Sequence, residues 1–183
     1  MSLENVLDQK REEFLIKWFQ LMVDAYPAET AKFLKREKNP FANPVGRSIH
    51  EGISGILDLL VRGVEHGKAS EFLDRIIRVR AVQDFSPAQA LAFVFDLRGL
   101  LRDVLVKEID EGGITADELA LFDAKVDELA LISFNVYTAC REKLYEIKVE
   151  EITNRSFRLL QKAGLLEEIS ETREESGEKG GDQ

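Results

Sequence analysis

No proline or glycine interrupts the chain between Gly113 and Gly164. A helix of about 48 residues would span roughly 72 Å at 1.5 Å per residue. A compact body of about 165 residues has a radius of gyration near 15 Å, hence a diameter of about 40 Å. Two outcomes fit. Either the helix breaks, with Thr153 and Asn154 as the weakest place, or it projects and buries its apolar stripe against a partner, usually another copy. The stripe begins as Leu119, Phe122, Val126, Leu129, Ser133, Val136, Cys140 and Ile147. It then moves to Tyr145, Val149, Ile152, Ser156, Leu159, Ala163 and Leu166. Val136, Cys140, Ile147, Ile152 and Leu159 are the candidate face for a dimer or another partner. Thr115 and Glu118 stand three apart and form a capping box at the start.

The rest of the chain also reads as helix, so the fold class is all-α, a helical bundle. Leu7, Phe14, Trp18, Leu21, Met22 and Ala25 recur at helical spacing and predict one helix over 3–25. Tyr26-Pro27 ends it, because the residue before proline is pushed out of the α region. A short helix follows over 28–36. Asn43-Pro44 reads as N-cap and first helical residue. The next stripe is Ile49, Ile53, Ile56, Leu57, Leu60 and Val64. Gly46, Gly52, Gly55 and Gly63 interrupt it, which points to close approach of another backbone or to a mobile helix. Gly67 is expected to end this helix and Ser70 to cap the next, with Phe72, Leu73, Ile76 and Ile77 on its core face. From Pro87 to Phe95 almost every residue is apolar, which predicts a buried central helix running to Glu111-Gly112-Gly113.

Charge collects before that helix, at Arg78, Arg80 and Asp84, with Gln83 beside them. Ser86, Pro87 and Gln89 then form a capping box with proline in the first turn. Arg80 and Asp84 are four apart and can pair on one helical face. The cluster of Arg78, Arg80, Gln83 and Asp84 is either an ion-pair network fixing the turn or a ligand pocket with arginine forks as donors. Asn43 and Tyr26, both at helix junctions, are candidate contributors.

Composition excludes several functions. The formal charge is −9, and the stretch from Glu167 to Gln183 holds seven acidic and two basic residues. With no basic stripe visible, nucleic acid and anionic membrane surfaces are disfavoured. No apolar run reaches 18 residues, so no membrane insertion is expected. The N-terminus has no signal-peptide core, and a single cysteine, Cys140, excludes an intrachain disulfide; both fit a cytoplasmic protein. The histidines, His50 and His66, have no metal-ligand spacing, and no metal or other cofactor is implied. His66 beside Gly67 is read as supporting a helix C-terminus. No nucleophile–base arrangement or phosphate-binding loop occurs, so the chain is not read as an enzyme.

Three segments in order carry a family resemblance. They are Tyr26-Pro27-Ala28-Glu29-Thr30, then Asn39-Pro40-Phe41-Ala42-Asn43-Pro44-Val45-Gly46, then Ile77 to Ala90; Trp18 precedes them. The stretch from about Leu3 to Leu144 resembles the RsbT co-antagonist RsbRD N-terminal domain. That resemblance implies a helical input module of bacterial stress and signalling proteins. Related co-antagonists use a globin-like fold without haem and dimerise through it, so a globin-like arrangement is among those implied. In co-antagonists the last helix leads into a STAS output domain; here it leads into an acidic segment, which implies action in trans.

The expected organisation is a helical domain over 1–148, a helical extension over 149–169 and a disordered acidic tail over 170–183. The expected function is a non-enzymatic sensor or regulatory module that forms a homodimer and binds a protein partner of unknown identity. Two other readings stay open: an accessory subunit of a larger enzyme or redox complex, and a small-ligand or haem-binding globin-like protein.

Overall fold

In a computed structural model, the long C-terminal helix does not break. The structure describes residues 2–37, 39, 41–83 and 85–163. All regular structure among them is helical: α1 (Leu3–Gln9), α2 (Arg11–Asp24), α3 (Ala28–Arg36), α4 (Pro44–Arg62), α5 (His66–Val82), α6 (Pro87–Val104), α7 (Val106–Asp110) and α8 (Ala116–Lys162). Thr153 and Asn154 lie inside α8. Neither removes a backbone donor, and each costs only a few tenths of a kcal/mol against a better helix former, roughly 0.5–0.7 at most. The disordered tail expected over 170–183 and the end of the expected extension, 164–169, lie outside the described residues.

The chain divides into two units, Met1–Arg141 and Glu142–Gln183. In the first, α2 packs against α1, α3, α4 and α6. Its Phe14 and Trp18 are fully buried, with Trp18 between the rings of Phe14 and Phe93 at 6.1 and 6.3 Å. The Trp18 indole donates to the Phe93 carbonyl at 3.0 Å, so the largest core side chain leaves no polar atom unpaired. The described part of the second unit is the helix over 142–162, whose side chains are exposed apart from a half-buried Leu144.

Four expectations about elements are corrected. The single helix over 3–25 is α1 and α2, kinked at Lys10, and the helix from Pro87 breaks at Leu105. The two breaks are joined. The Lys10 ammonium donates to the Val104 carbonyl at 2.9 Å and pairs with Glu108 at 2.7 Å. It satisfies a carbonyl that the break at Leu105 leaves open.

The helix boundary placed at Gly67 and Ser70 lies earlier. Gly63, at φ 117°, ends α4, and α5 begins at His66. His66 therefore stands at a helix N-terminus rather than a C-terminus, and its ring meets Glu128 at 2.8 Å. The fourth correction concerns α6, which is not buried all round. Ala88, Ala92 and Phe95 are exposed, because α6 packs on α2 and α5 from one side. Alanine is the best helix former and buries little area, so an alanine-rich face does not demand a cover.

The expected caps are present. The Asn43 side chain accepts from the Gly46 N–H at 2.8 Å. Ser86 with Gln89, and Thr115 with Glu118, exchange bonds as full capping boxes. Close approach explains two of the α4 glycines. A Cβ on Gly52 would stand 2.7 Å from Ile76, and one on Gly55 2.5 Å from the Phe72 ring.

Candidate functional site

Arg80 occupies the last turn of α5 with 1% of its surface exposed. One guanidinium nitrogen, Nη2, donates to the Met22 carbonyl at 3.0 Å. The other, Nη1, donates to the Gln89 and Ala90 carbonyls at 3.2 and 3.3 Å. Met22 lies in the last turn of α2, where carbonyls lack intrahelical partners. Gln89 and Ala90 lie in the first turns of α6. One planar fork thus ties the end of α2 and the start of α6 to the end of α5. The rings of Phe93, Phe85 and Tyr26 stand 5.2, 5.5 and 5.7 Å from the guanidinium carbon, within the range of cation–π attraction. Burial pushes the Arg80 pKa down from its ordinary value, while the nearby Tyr26 oxygen and the Asp96 carboxylate push it up. Arg80 Nε and the Tyr26 hydroxyl are both buried and have no hydrogen-bond partner among the described residues.

Neighbouring side chains close the junction. The Tyr137 hydroxyl of α8 donates to the Phe85 carbonyl at 2.9 Å, and Arg141 donates to the Ala81 carbonyl at 3.2 Å. The arrangement is a main-chain carbonyl and aromatic box around one cation. It fixes three helices.

The other sequence candidates are dispersed. Arg78 is exposed and pairs with Asp74 one turn back, at 2.7 Å. Gln83 is exposed and is the C-cap of α5, its backbone N–H donating to the Val79 and Arg80 carbonyls. Asp84, and with it the proposed Arg80–Asp84 pair, lies outside the described residues. Asn43 is buried at the α3–α4 junction, where its amide also donates to the Leu34 and Glu37 carbonyls. Of the six candidates, the structure brings Tyr26 and Arg80 together. Phe85 and Phe93 complete their box and were missed. Phe85 immediately precedes the Ser86 cap, where an apolar residue often staples the first turn, and that was the available signal.

The five candidates for a partner face divide between the two units. Val136 and Cys140 are half-buried in the first, and the Cys140 thiol donates to Asp74 at 3.6 Å. Burial and the Asp74 carboxylate hold that thiol above its ordinary pKa, which suppresses the reactive thiolate. In the second unit Ile147, Ile152 and Leu159 are 50%, 64% and 61% exposed. Ile147 lies about 140° around the helix from Ile152, so the two do not share one stripe.

Sequence reading did not find a groove of about 830 Å³ between α2, α3 and α4, lined by Ile16, Phe19, Leu34 and His50 among others. Of its charged lining groups, Lys35 pairs with Asp24, Arg47 with Glu51, and Glu37 accepts from the Asn39 N–H. No three His, Cys, Asp or Glu side chains among the described residues could hold a metal ion together. No described helix is long and apolar enough to cross a membrane.

The model of the RsbT co-antagonist protein RsbRD N-terminal domain matches residues 12–152. The chain belongs to that family. The match contains the Arg80 box and the Asn43 junction, and it extends into α8 as far as Ile152. Membership in that family places the chain among signalling-related regulatory modules. An uncharacterized protein of Archaeoglobus fulgidus is 25% identical over 146 residues, covering 77% of this chain and 83% of its own. No solved structure matches significantly.

Proposed function

We propose that this chain is a non-enzymatic input module of a signalling system, which forms a homodimer and binds a partner protein in trans. The family supports the regulatory role. The observation that supports association is the helix over 142–162. Six of its large apolar side chains, including Val149, Ile152, Phe157 and Leu159, are at least half exposed. Isolated exposed apolar residues are ordinary, but such a concentration on one helix marks an interaction surface. The Arg80 box is proposed as a structural junction, since its donors point at main-chain carbonyls. The acidic balance favours protein partners over nucleic acid.

Multi-angle light scattering of the full chain tests the association. A mass near 42 kDa, twice the 20.8 kDa of one chain, is expected at tens of micromolar. A single-chain mass at several hundred micromolar would remove the dimer. Affinity purification from native cells tests the regulatory part, and stoichiometric recovery with an enzyme complex would replace it with an accessory-subunit role.

A further inference from the structure

We propose that Lys10 is a latch that holds α6 and α7 apart as two helices, and that its withdrawal lets them join into one helix over 87–110. The break lies at Leu105, where φ −104° and ψ 18° depart from helical values by about 40° and 60°. Three ladder bonds would cross it, from the Val106, Lys107 and Glu108 N–H groups to the Arg102, Asp103 and Val104 carbonyls. None of them forms among the described residues. On either side the ladder is intact: Leu105 donates to Leu101 at 2.9 Å, and Ile109 to Leu105 at 3.0 Å. One residue therefore carries the whole bend.

Nothing local asks for that bend. Residues 102–108 hold no proline or glycine, and leucine is among the better helix formers. α7 has no buried side chain, so packing holds it weakly. A kink without such residues arises where a side chain enters the backbone ladder. Lys10 does so. Its ammonium donates to the Val104 carbonyl at 2.9 Å, in the place of the Glu108 N–H, and pairs with the Glu108 carboxylate at 2.7 Å. With Lys10 withdrawn, the Val104 carbonyl needs another donor, and a straight helix supplies the Glu108 N–H. The Arg102 and Asp103 carbonyls then gain the Val106 and Lys107 N–H groups as well. Leu105 is fully buried in the bent form and opposes the change. The Lys10 and Glu108 side chains keep 26% and 28% of their surface exposed, so the latch can be reached from solvent. Gly112 and Gly113 close α7 by donating to the Ile109 and Glu108 carbonyls, and the Thr115 cap of α8 follows directly. Joining α6 to α7 therefore moves the turn that leads into α8, which is the coupling a regulatory module needs.

Amide exchange read by NMR in the full chain carrying Lys10→Met tests this. Methionine keeps an unbranched stem and removes the donor. Exchange at Val106, Lys107 and Glu108 is expected to slow several-fold, and the Leu105 Cα shift to move toward helical values. A lysine that merely supports the fold gives unchanged or faster exchange at those amides, and either result overturns the proposal. Glu108→Gln keeps the donor on Val104, so the three amides should exchange as in the unaltered chain. Slowing equal to that in Lys10→Met would overturn the assignment to the carbonyl bond. Should Lys10→Met not fold, the same change is made in Gly99→Ala, a background in which alanine favours the helix. Failure to fold there too would show that the fold itself requires the lysine and has no straight form to release, which also overturns the proposal.

Discussion

A buried arginine with main-chain acceptors behaves differently from one in a surface ion pair, and this chain holds both kinds two residues apart. Arg80→Ala leaves the Met22, Gln89 and Ala90 carbonyls without their side-chain donor and opens a void among Tyr26, Phe85 and Phe93. The Gln89 and Ala90 carbonyls keep their intrahelical partners in α6, but an unmet Met22 carbonyl and a cavity together should cost about 3–5 kcal/mol. Arg78→Ala removes an exposed pair with Asp74 and should change stability by no more than about 0.5 kcal/mol. Urea unfolding of both variants checks the contrast, and equal effects would refute it. The sequence made Arg80 conspicuous, because charge stood between apolar helices. It could not show what Arg80 binds, since a carbonyl acceptor has no side-chain identity to read. Asn43 was more legible, because an asparagine before proline and a helical stripe has one common use, as an N-cap. Its two further bonds, to Leu34 and Glu37, depend on where α3 ends.

Among the elements, glycine provides a paired test. Gly52 of α4 lies against α5, where a Cβ would be 2.7 Å from Ile76 and 3.0 Å from the Phe72 carbonyl. Gly99 of α6 has nothing within 4 Å. Alanine at Gly99 should stabilise by about 0.5–1 kcal/mol through helix propensity alone. Alanine at Gly52 should destabilise by about 1–3 kcal/mol despite the same propensity gain, because neither neighbour can move freely. Thermal melts of the two variants should shift in opposite directions. A pH test belongs to the start of α8. The Glu118 carboxylate accepts from the Thr115 N–H and the Leu3 N–H, and these bonds hold its pKa below the ordinary carboxylate range. A depressed folded pKa means stability present above the unfolded value of about 4.3 and lost as pH falls through the folded value. Glu118→Gln should therefore flatten the acid side of the stability profile below about pH 4.3. An unchanged acid limb would show that the carboxylate carries none of it. Helix caps and stripes were legible because they are local patterns. The breaks at Lys10 and Leu105 were not, since no proline or glycine marks either. They follow from a lysine of one helix meeting a carbonyl of another, a contact that exists only after the chain has packed.

For the molecule as a whole, charge and apolar surface pull association in opposite directions, and salt separates them. Each copy carries a formal charge of −9, so two copies repel at long range. That repulsion is screened by salt, over a distance that falls from about 30 Å at 0.01 M to about 8 Å at 0.15 M. Burial of Val149, Ile152 and Leu159 is non-directional and needs no unscreened charge. Association driven by those side chains should therefore tighten when salt is added. The dissociation constant from sedimentation equilibrium is expected to fall several-fold between about 0.01 M and 0.15 M sodium chloride. An interface held by ion pairs would show the reverse, because salt would screen the attraction that forms it. Weakening with salt would thus remove the apolar helix face as the driving surface, even if the protein is a dimer.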